Sequence, residues 1–166
     1  MLILGNRDTI HLKLEKIFNK IFNNEYEIIK NEFGKPYLKG KDLYFNISHS
    51  KGFSMAIIDK CECGIDVEQI REYNELMAVK ICTAQEYKFL NKSERKDYYF
   101  TTLWVLKESY LKCLGIGISK PMNEINFIKD DNLFIDIQGF KINILNHNNS
   151  IVAICRRSGS YEGDNC

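Results

Sequence analysis

Two carboxylates lie two residues apart in the apolar segment CGIDVEQI, which spans residues 63–70. The segment predicts a short buried strand, in which Ile65 and Val67 share one face while Asp66 and Glu68 share the other. Two carboxylates about 5 Å apart repel each other by roughly 3 kcal/mol at an effective dielectric constant of about 20. Either water at an exposed sheet edge or a bound cation must offset this repulsion.

A third carboxylate and a lysine lie four residues apart in WVLKESYLK, residues 104–112. In a helix this spacing makes Glu108 and Lys112 neighbours on one face, which Trp104 shares. Alone, the pair is typical of a solvent-exposed ion pair. Combined with the two strand acids, it gives three carboxylates, a ligand set that suits Mg²⁺ together with substrate phosphates. A lysine one turn away could neutralise phosphate charge or move a proton, so these residues predict phosphoryl transfer.

Two further polar residues fit the same chemistry. His49 lies in FNISHS between Ser48 and Ser50, where a histidine is more often structural but beside phosphates would be a cation or donor. Lys35 lies on the turn GKP, held by Pro36. Such a lysine is either simply solvated or placed to bind phosphate.

The first part of the chain predicts one helix and three strands. Asp8 or Thr9 opens the helix. Strands are expected at residues 43–50, 52–59 and 63–68, and their close spacing favours an antiparallel meander. Apolar residues recur along the helix at helical spacing: Ile10, Leu14, Ile17, Phe18 and Ile21.

The second part predicts two helices followed by strands. Thr83 and Glu86 form a capping box that opens the first of these helices, and a longer helix spans residues 97–114 and ends at Gly115. Strands are expected at residues 124–128, 132–137, 140–145 and 150–155. The order of elements predicts an α+β fold in two comparable halves, residues 1–69 and 70–157, with a disordered tail at residues 158–166.

The composition argues against several classes of binding partner and site. The 166 residues carry 23 basic and 22 acidic side chains, a net charge of +1, which is a poor basis for binding nucleic acid through many phosphates. Six cysteines without a CxxC pair argue against structural zinc, and Cys113 and Cys155 are expected to be buried reduced thiols. No long apolar run follows Met1, so we expect no signal peptide, no membrane span and a cytoplasmic protein.

The stretches GKPYL, FNISHS, GIDVE and LWVLKESYLK, in this order, resemble the 4′-phosphopantetheinyl transferases that activate peptide synthetases, polyketide synthases and fatty-acid systems. The resemblance extends from residue 34 to about residue 127. It implies two similar α+β halves related by pseudo-twofold symmetry, in which antiparallel sheets pack against a long helix in each half. The active site is then expected in the cleft between the halves.

The resemblance also implies a reaction. Members of the family bind coenzyme A and Mg²⁺, with Mn²⁺ as an alternative, and transfer the 4′-phosphopantetheine arm to a serine of an apo acyl or peptidyl carrier protein. The matching metal ligands are Asp66, Glu68 and Glu108. The matching coenzyme A contacts are Lys35, Pro36, Ser48, His49 and Lys112, with His49 near the extra phosphate of the nucleotide. Glu108 and Lys112 are the expected catalytic residues.

Two alternatives stay open. Met1 begins near the first helix of the family pattern, so the first half is expected to be short at its N-terminus. A relative that binds coenzyme A or a carrier protein without turnover would fit that pattern. An Mg²⁺-dependent nuclease also uses three acids and a lysine, but its last acid and lysine usually lie two apart on a strand.

We expect a two-half monomer with a basic or apolar patch that docks an acidic carrier protein. One candidate patch is the loop with Lys92, Arg95 and Lys96. The other is the segment with Met77, Val79 and Ile81.

Overall fold

The computed structural model describes residues 1–158, which form ten strands and four α-helices. The strands are β1 (Leu2–Gly5), β2 (Ile28–Lys30), β3 (Pro36–Leu38), β4 (Tyr44–Ser50), β5 (Phe53–Asp59), β6 (Cys63–Gln69), β7 (Ile128–Lys129), β8 (Asn132–Leu133), β9 (Phe140–His147) and β10 (Ser150–Arg157). The helices are α1 (Thr9–Phe22), α2 (Glu75–Ile81), α3 (Ala84–Lys92) and α4 (Lys96–Leu114).

Two three-stranded antiparallel sheets form the centre of the fold. The first has the strand order β1-β5-β4 and the second has the order β6-β10-β9. Helix α1 packs on the first sheet and α4 packs on the second. The predicted α+β class with antiparallel sheets is confirmed, whereas the pseudo-twofold relation between the halves stays a prediction.

The predicted three-strand meander is wrong at its third strand. Strands β4 and β5 form the expected hairpin, but β6 pairs with β10, where Asp66 lies opposite Ala153. Strand β6 instead runs parallel to β4, and side-chain oxygens of β4 accept hydrogen bonds from backbone N–H groups of β6. These pairs are Asn46 Oδ1 with Ile65 (2.9 Å), Ser48 Oγ with Val67 (3.2 Å) and Ser50 Oγ with Gln69 (3.2 Å). We call this contact the β4–β6 seam.

The helices follow the sequence pattern closely. Ile10, Leu14 and Phe18 of α1 are buried, although Ile21 is exposed. Helix α4 ends at Gly115, whose positive φ of 70° suits a glycine. The capping box predicted at the start of α3 forms, since its threonine and glutamate side chains each accept from the other residue's backbone N–H.

The C-terminal strands agree with the sequence only in part. The strands expected at 140–145 and 150–155 form as β9 and β10. The segments 124–128 and 132–137 contribute only the two-residue strands β7 and β8, because the Asn126 side chain bonds the backbone of Ile128 locally and thus competes with longer pairing. Most of the predicted tail, residues 159–166, lies outside the described residues.

The predicted division at residue 69 stays a prediction, and the structure adds that β6 has its ladder partner in the second half. Among the helices of residues 1–158, none combines the length and hydrophobicity needed to cross a membrane.

Candidate active site

A glycine sets the distance between β6 and α4. Gly64, Asp66 and Glu68 alternate along β6 and therefore project toward the same face. A Cβ added at Gly64 would lie 2.1 Å from the carbonyl oxygen of Ser109 and 2.3 Å from the backbone nitrogen of Cys113. The helix backbone thus lies directly on the strand, and this close approach places the side chains of α4 beside the two acids.

Three elements meet around one open cleft of about 350 Å³. Strand β6 contributes Asp66 and Glu68, and α4 contributes Trp104, Glu108 and Lys112. Strand β4 contributes Ile47, Ser48 and His49. The fold therefore brings together six of the eight predicted site residues, which come from segments far apart in the sequence: Ser48, His49, Asp66, Glu68, Glu108 and Lys112.

Asp66 lies at the buried end of the cleft, where its side chain is only 5% exposed. Its Oδ1 atom accepts hydrogen bonds from Lys112 Nζ at 2.5 Å and from Ser48 Oγ at 2.8 Å. Lys112 Nζ also lies 3.3 Å from Ser48 Oγ. Within residues 1–158 the second carboxylate oxygen, Asp66 Oδ2, has no hydrogen-bond partner. A buried acceptor without a donor is a candidate cation ligand.

Glu68 has a different partner. Its Oε1 atom lies 2.8 Å from a guanidinium nitrogen of Arg71, and the guanidinium carbon lies 4.7 Å from the ring centroid of Trp104. The Arg71 backbone is itself anchored to α4, because its N–H donates to Thr101 Oγ1 at 3.1 Å. The sequence analysis did not identify Arg71, although its position three residues after Glu68 was a usable signal.

Burial and mutual repulsion raise the pKa values of two of the acids. Burial is the largest cause of the raised pKa of Glu108, and the nearby Asp66 charge adds to it while Lys112 opposes it. Burial also raises the pKa of Glu68, which Arg71 opposes and Asp66 reinforces. Three carboxylates face two cations, Lys112 and Arg71, so the cleft carries one excess negative charge when all are ionised. The two protein cations therefore offset only part of the repulsion between the acids.

The residues suit a hard divalent cation such as Mg²⁺, since they offer carboxylate oxygens around an open cavity with one buried oxygen unpaired. Across residues 1–158, however, no three His, Cys, Asp or Glu side chains are already grouped as a metal site. The ion pairs made by Asp66 and Glu68 explain this, because each directs one carboxylate oxygen toward a protein cation.

His49 lies at the rim of the cleft. Its Nδ1 atom is hydrogen-bonded to Ser54 Oγ at 2.7 Å, and its ring centroid lies 5.7 Å from that of His11. Burial lowers the pKa of His49, and the positive charges of His11, Arg7 and Lys112 lower it further. The imidazole is therefore mainly neutral near pH 7.

Lys35 and Pro36 are not among the residues that line the cleft. Lys35 Nζ donates to the carbonyl oxygens of Cys63, at 3.2 Å, and Cys113, at 2.9 Å. The lysine thereby ties its turn to both β6 and the last turn of α4, while Pro36 begins β3. Their predicted contact with coenzyme A stays a prediction.

A buried lysine next to Glu108 was missed by the sequence analysis. Lys107 is completely buried, and its Nζ atom donates to Glu86 Oε2 at 2.5 Å. It also donates to the carbonyl oxygens of Ile81, at 2.7 Å, and Met122, at 2.9 Å. A lysine in a helix is usually solvated, so the sequence carries no clear sign of this network.

Comparison with known proteins identifies the family of this chain. The profile of the 4′-phosphopantetheinyl transferase superfamily matches residues 62–157, more than half of the chain and the whole of the segment from β6 to β10. The chain belongs to this superfamily, which confirms the resemblance seen in its motifs.

Individual relatives carry the same name. The chain is 35% identical over 117 residues to 4′-phosphopantetheinyl transferase gsp of Aneurinibacillus migulanus, covering 68% of this chain and 49% of that protein. It is 30% identical over 121 residues to 4′-phosphopantetheinyl transferase Sfp of Bacillus subtilis (strain 168), covering 66% and 54%. The chain therefore spans about half the length of these curated relatives. A solved structure, the holo-[acyl-carrier-protein] synthase of Thermotoga maritima, matches with a TM-score of 0.47 at 23% identity, covering 63% of this chain and 70% of that one.

Proposed function

We propose that this chain transfers the 4′-phosphopantetheine arm of coenzyme A to a serine hydroxyl of an apo acyl or peptidyl carrier protein and releases adenosine 3′,5′-bisphosphate. The observation that carries the proposal is the meeting of Asp66, Glu68, Glu108 and Lys112 in one cleft between β6 and α4. Membership of the superfamily supports the kind of reaction.

Asp66, Glu68 and Glu108 are the residues that would hold Mg²⁺, or Mn²⁺ in its place. When bound, such a cation would neutralise the pyrophosphate of coenzyme A and polarise its oxygens. In the chain itself, Ser48 and Lys112 both donate hydrogen bonds to Asp66 Oδ1. The other oxygen, Oδ2, has no hydrogen-bond partner among residues 1–158.

The covalent step exchanges one phosphorus–oxygen bond for another. The carrier serine oxygen attacks the phosphorus that bears the pantetheine arm, and the bond from that phosphorus to the adenosine bisphosphate breaks. Glu108 accepts the serine proton directly or through a water molecule. A carboxylate that also binds a divalent cation is a weak base, which favours the route through water. Lys112 stabilises negative charge on the bridging oxygen and the leaving group.

The residues predicted to contact coenzyme A lie in different parts of the site. His49 at the rim is placed to donate to the nucleotide's extra phosphate, and its bond to Ser54 orients the ring. Ser48 is buried and acts by holding Asp66 and Lys112. Lys35 supports the same site by fixing the turn against β6 and α4.

Of the two candidate patches for docking the carrier protein, the one on α2 is the better supported. Ile81 is buried in the core, so the prediction that it contributes to a docking patch is wrong. Val79 is 59% exposed and its neighbour on the same face, Leu76, is 78% exposed. In the alternative loop, Lys92 already pairs with Asp131 at 2.7 Å. We further propose that the protein works as a monomer in the cytoplasm.

The test is the intact mass of a generic apo carrier protein after incubation with this chain, coenzyme A and Mg²⁺. We expect a gain of one phosphopantetheine group, which EDTA and the variant Asp66→Asn both abolish. Glu94→Gln, an exposed acid outside the cleft, is the matched control and should retain the reaction. Coenzyme A binding without any mass gain would instead support the alternative of a relative that binds without turnover.

A further inference from the structure

We propose that Arg71 is an exchangeable internal counter-ion of Glu68: it pairs with the carboxylate while no divalent cation is bound and must release it when one binds. Arg71 then lowers the cation affinity of the cleft, and Trp104 keeps the released guanidinium nearby. The inference rests on the metal site of the proposed function and adds the residue that competes for it.

The position of Arg71 supports exchange. The Glu68 and Arg71 side chains are 31% and 30% exposed, so the pair can rearrange without opening the core. The backbone N–H of Arg71 is fixed to Thr101 on α4, so only the side chain has to move. The second contact of the guanidinium, the ring of Trp104 at 4.7 Å, does not involve the carboxylate. Arg71 thus has a place to remain after it leaves Glu68.

Asp66 shows the contrasting arrangement. Its ion pair with Lys112 also uses one carboxylate oxygen, Oδ1, but Asp66 is only 5% exposed and Ser48 donates to the same atom. Glu68 is more exposed, and the guanidinium that pairs with it has the ring of Trp104 as a second contact. Of these two ion pairs, the one at Glu68 is therefore the one that can exchange with a cation.

The experiment measures Mg²⁺ binding to the whole chain by calorimetry at constant ionic strength, together with tryptophan emission. Trp104 is the single tryptophan of the sequence, and the guanidinium over its ring loses its carboxylate partner when Glu68 is released, so its emission reports on the exchange. For the wild-type chain we expect an emission change whose midpoint matches the calorimetric one. The variant Arg71→Met should bind Mg²⁺ about threefold or more tightly, the factor expected for a partly exposed ion pair, and lose most of the emission change.

Two further variants isolate the mechanism. Arg95→Met removes an arginine that stacks on Tyr98 outside the cleft, at 4.3 Å, and should leave the Mg²⁺ affinity unchanged. In a Glu68→Gln background, Arg71→Met should have a clearly smaller effect on affinity, because Arg71 is proposed to act mainly through this carboxylate. An effect as large as in the wild-type background would mean a general influence of charge and would overturn the proposal.

The remaining outcomes are also decisive. Weaker binding by Arg71→Met would show that Arg71 holds Glu68 in a ligand position, and unchanged binding would show no coupling. Either result overturns this inference while leaving the proposed reaction intact if the carrier protein still gains mass. If the wild-type chain binds no Mg²⁺ at all, both the metal site of the proposed function and this inference fail.

Discussion

Gly64 of β6 lies so close beneath Ser109 of α4 that a single methyl group at the glycine would overlap the serine carbonyl oxygen. The obstructing atoms belong to the helix backbone, which cannot rotate away as a side chain can. The first residue of GIDVE therefore positions the whole cleft, although it has no functional group.

We expect Gly64→Ala to destabilise the fold by about 3 kcal/mol or more, because α4 has to move away from β6. The loss is measured by urea unfolding, and phosphopantetheine transfer should fall with it. Gly52→Ala is the matched control: its φ of 89° is strained for alanine, but a Cβ there meets nothing within 4 Å, so it should lose only about 1 kcal/mol. Equal losses for the two variants would contradict the close-packing explanation.

The buried pair of Lys107 and Glu86 gives a second prediction. Lys107→Met leaves the Glu86 charge unpaired in the core, which should lower the free energy of unfolding by about 3–5 kcal/mol. The double variant Glu86→Gln with Lys107→Met should recover part of this loss. Breaking the exposed Lys92–Asp131 pair with Lys92→Met should leave the stability nearly unchanged, and a loss as large as that of Lys107→Met would argue against burial as the cause.

Lys112 is expected to matter for the reaction as well as for the fold, in which it pairs with the buried Asp66. Lys112→Met removes the cation proposed to stabilise the leaving group, so the transfer rate should fall at least about a hundredfold in the carrier-protein mass assay. Lys88→Met, an exposed lysine on α3, should leave the rate unchanged. A variant at Lys112 with a near-normal rate would rule out its proposed role.

The buried thiol of Cys82 predicts a loss of stability at alkaline pH. Burial raises its pKa from 9.0 to about 12. The unfolded chain therefore loses this proton above about pH 9 while the folded chain keeps it. The stabilising contribution is complete below pH 9 and declines as the pH rises toward 12, by about 1.4 kcal/mol per pH unit. Between pH 8 and pH 10.5, Cys82→Ala should lose about 2 kcal/mol less stability than the wild-type chain in urea unfolding. Equal losses in the two proteins would mean that this thiol is accessible to hydroxide in the folded state.

Features that depend on local order were predictable from the sequence. The spacing of apolar residues along α1, the capping box at Thr83 and the glycine that ends α4 are all local signals. The same holds for the acids of β6, whose shared face follows from strand geometry alone.

The contacts between distant elements were not predictable. Asn46, Ser48 and Ser50 alternate along β4 and accept hydrogen bonds from the backbone of β6, a role that the sequence analysis did not assign to them. Lys107 has the sequence context of a surface lysine, and only the packing of α3 against α4 makes it a core residue. These roles depend on which elements become neighbours, which a single sequence does not state.

The β4–β6 seam has a consequence for how such a protein can change over generations. A backbone ladder keeps two strands about 5 Å apart whatever their side chains are. In this protein three short side chains of β4 bond the backbone of β6 in place of a backbone ladder. The spacing between the two sheets therefore depends on which residues occupy these three positions. A substitution at one of these positions is therefore expected to change the distance between the two sheets. At Ser48 the same substitution also removes a hydrogen bond to Asp66, so there the sheet spacing and the setting of that acid change together.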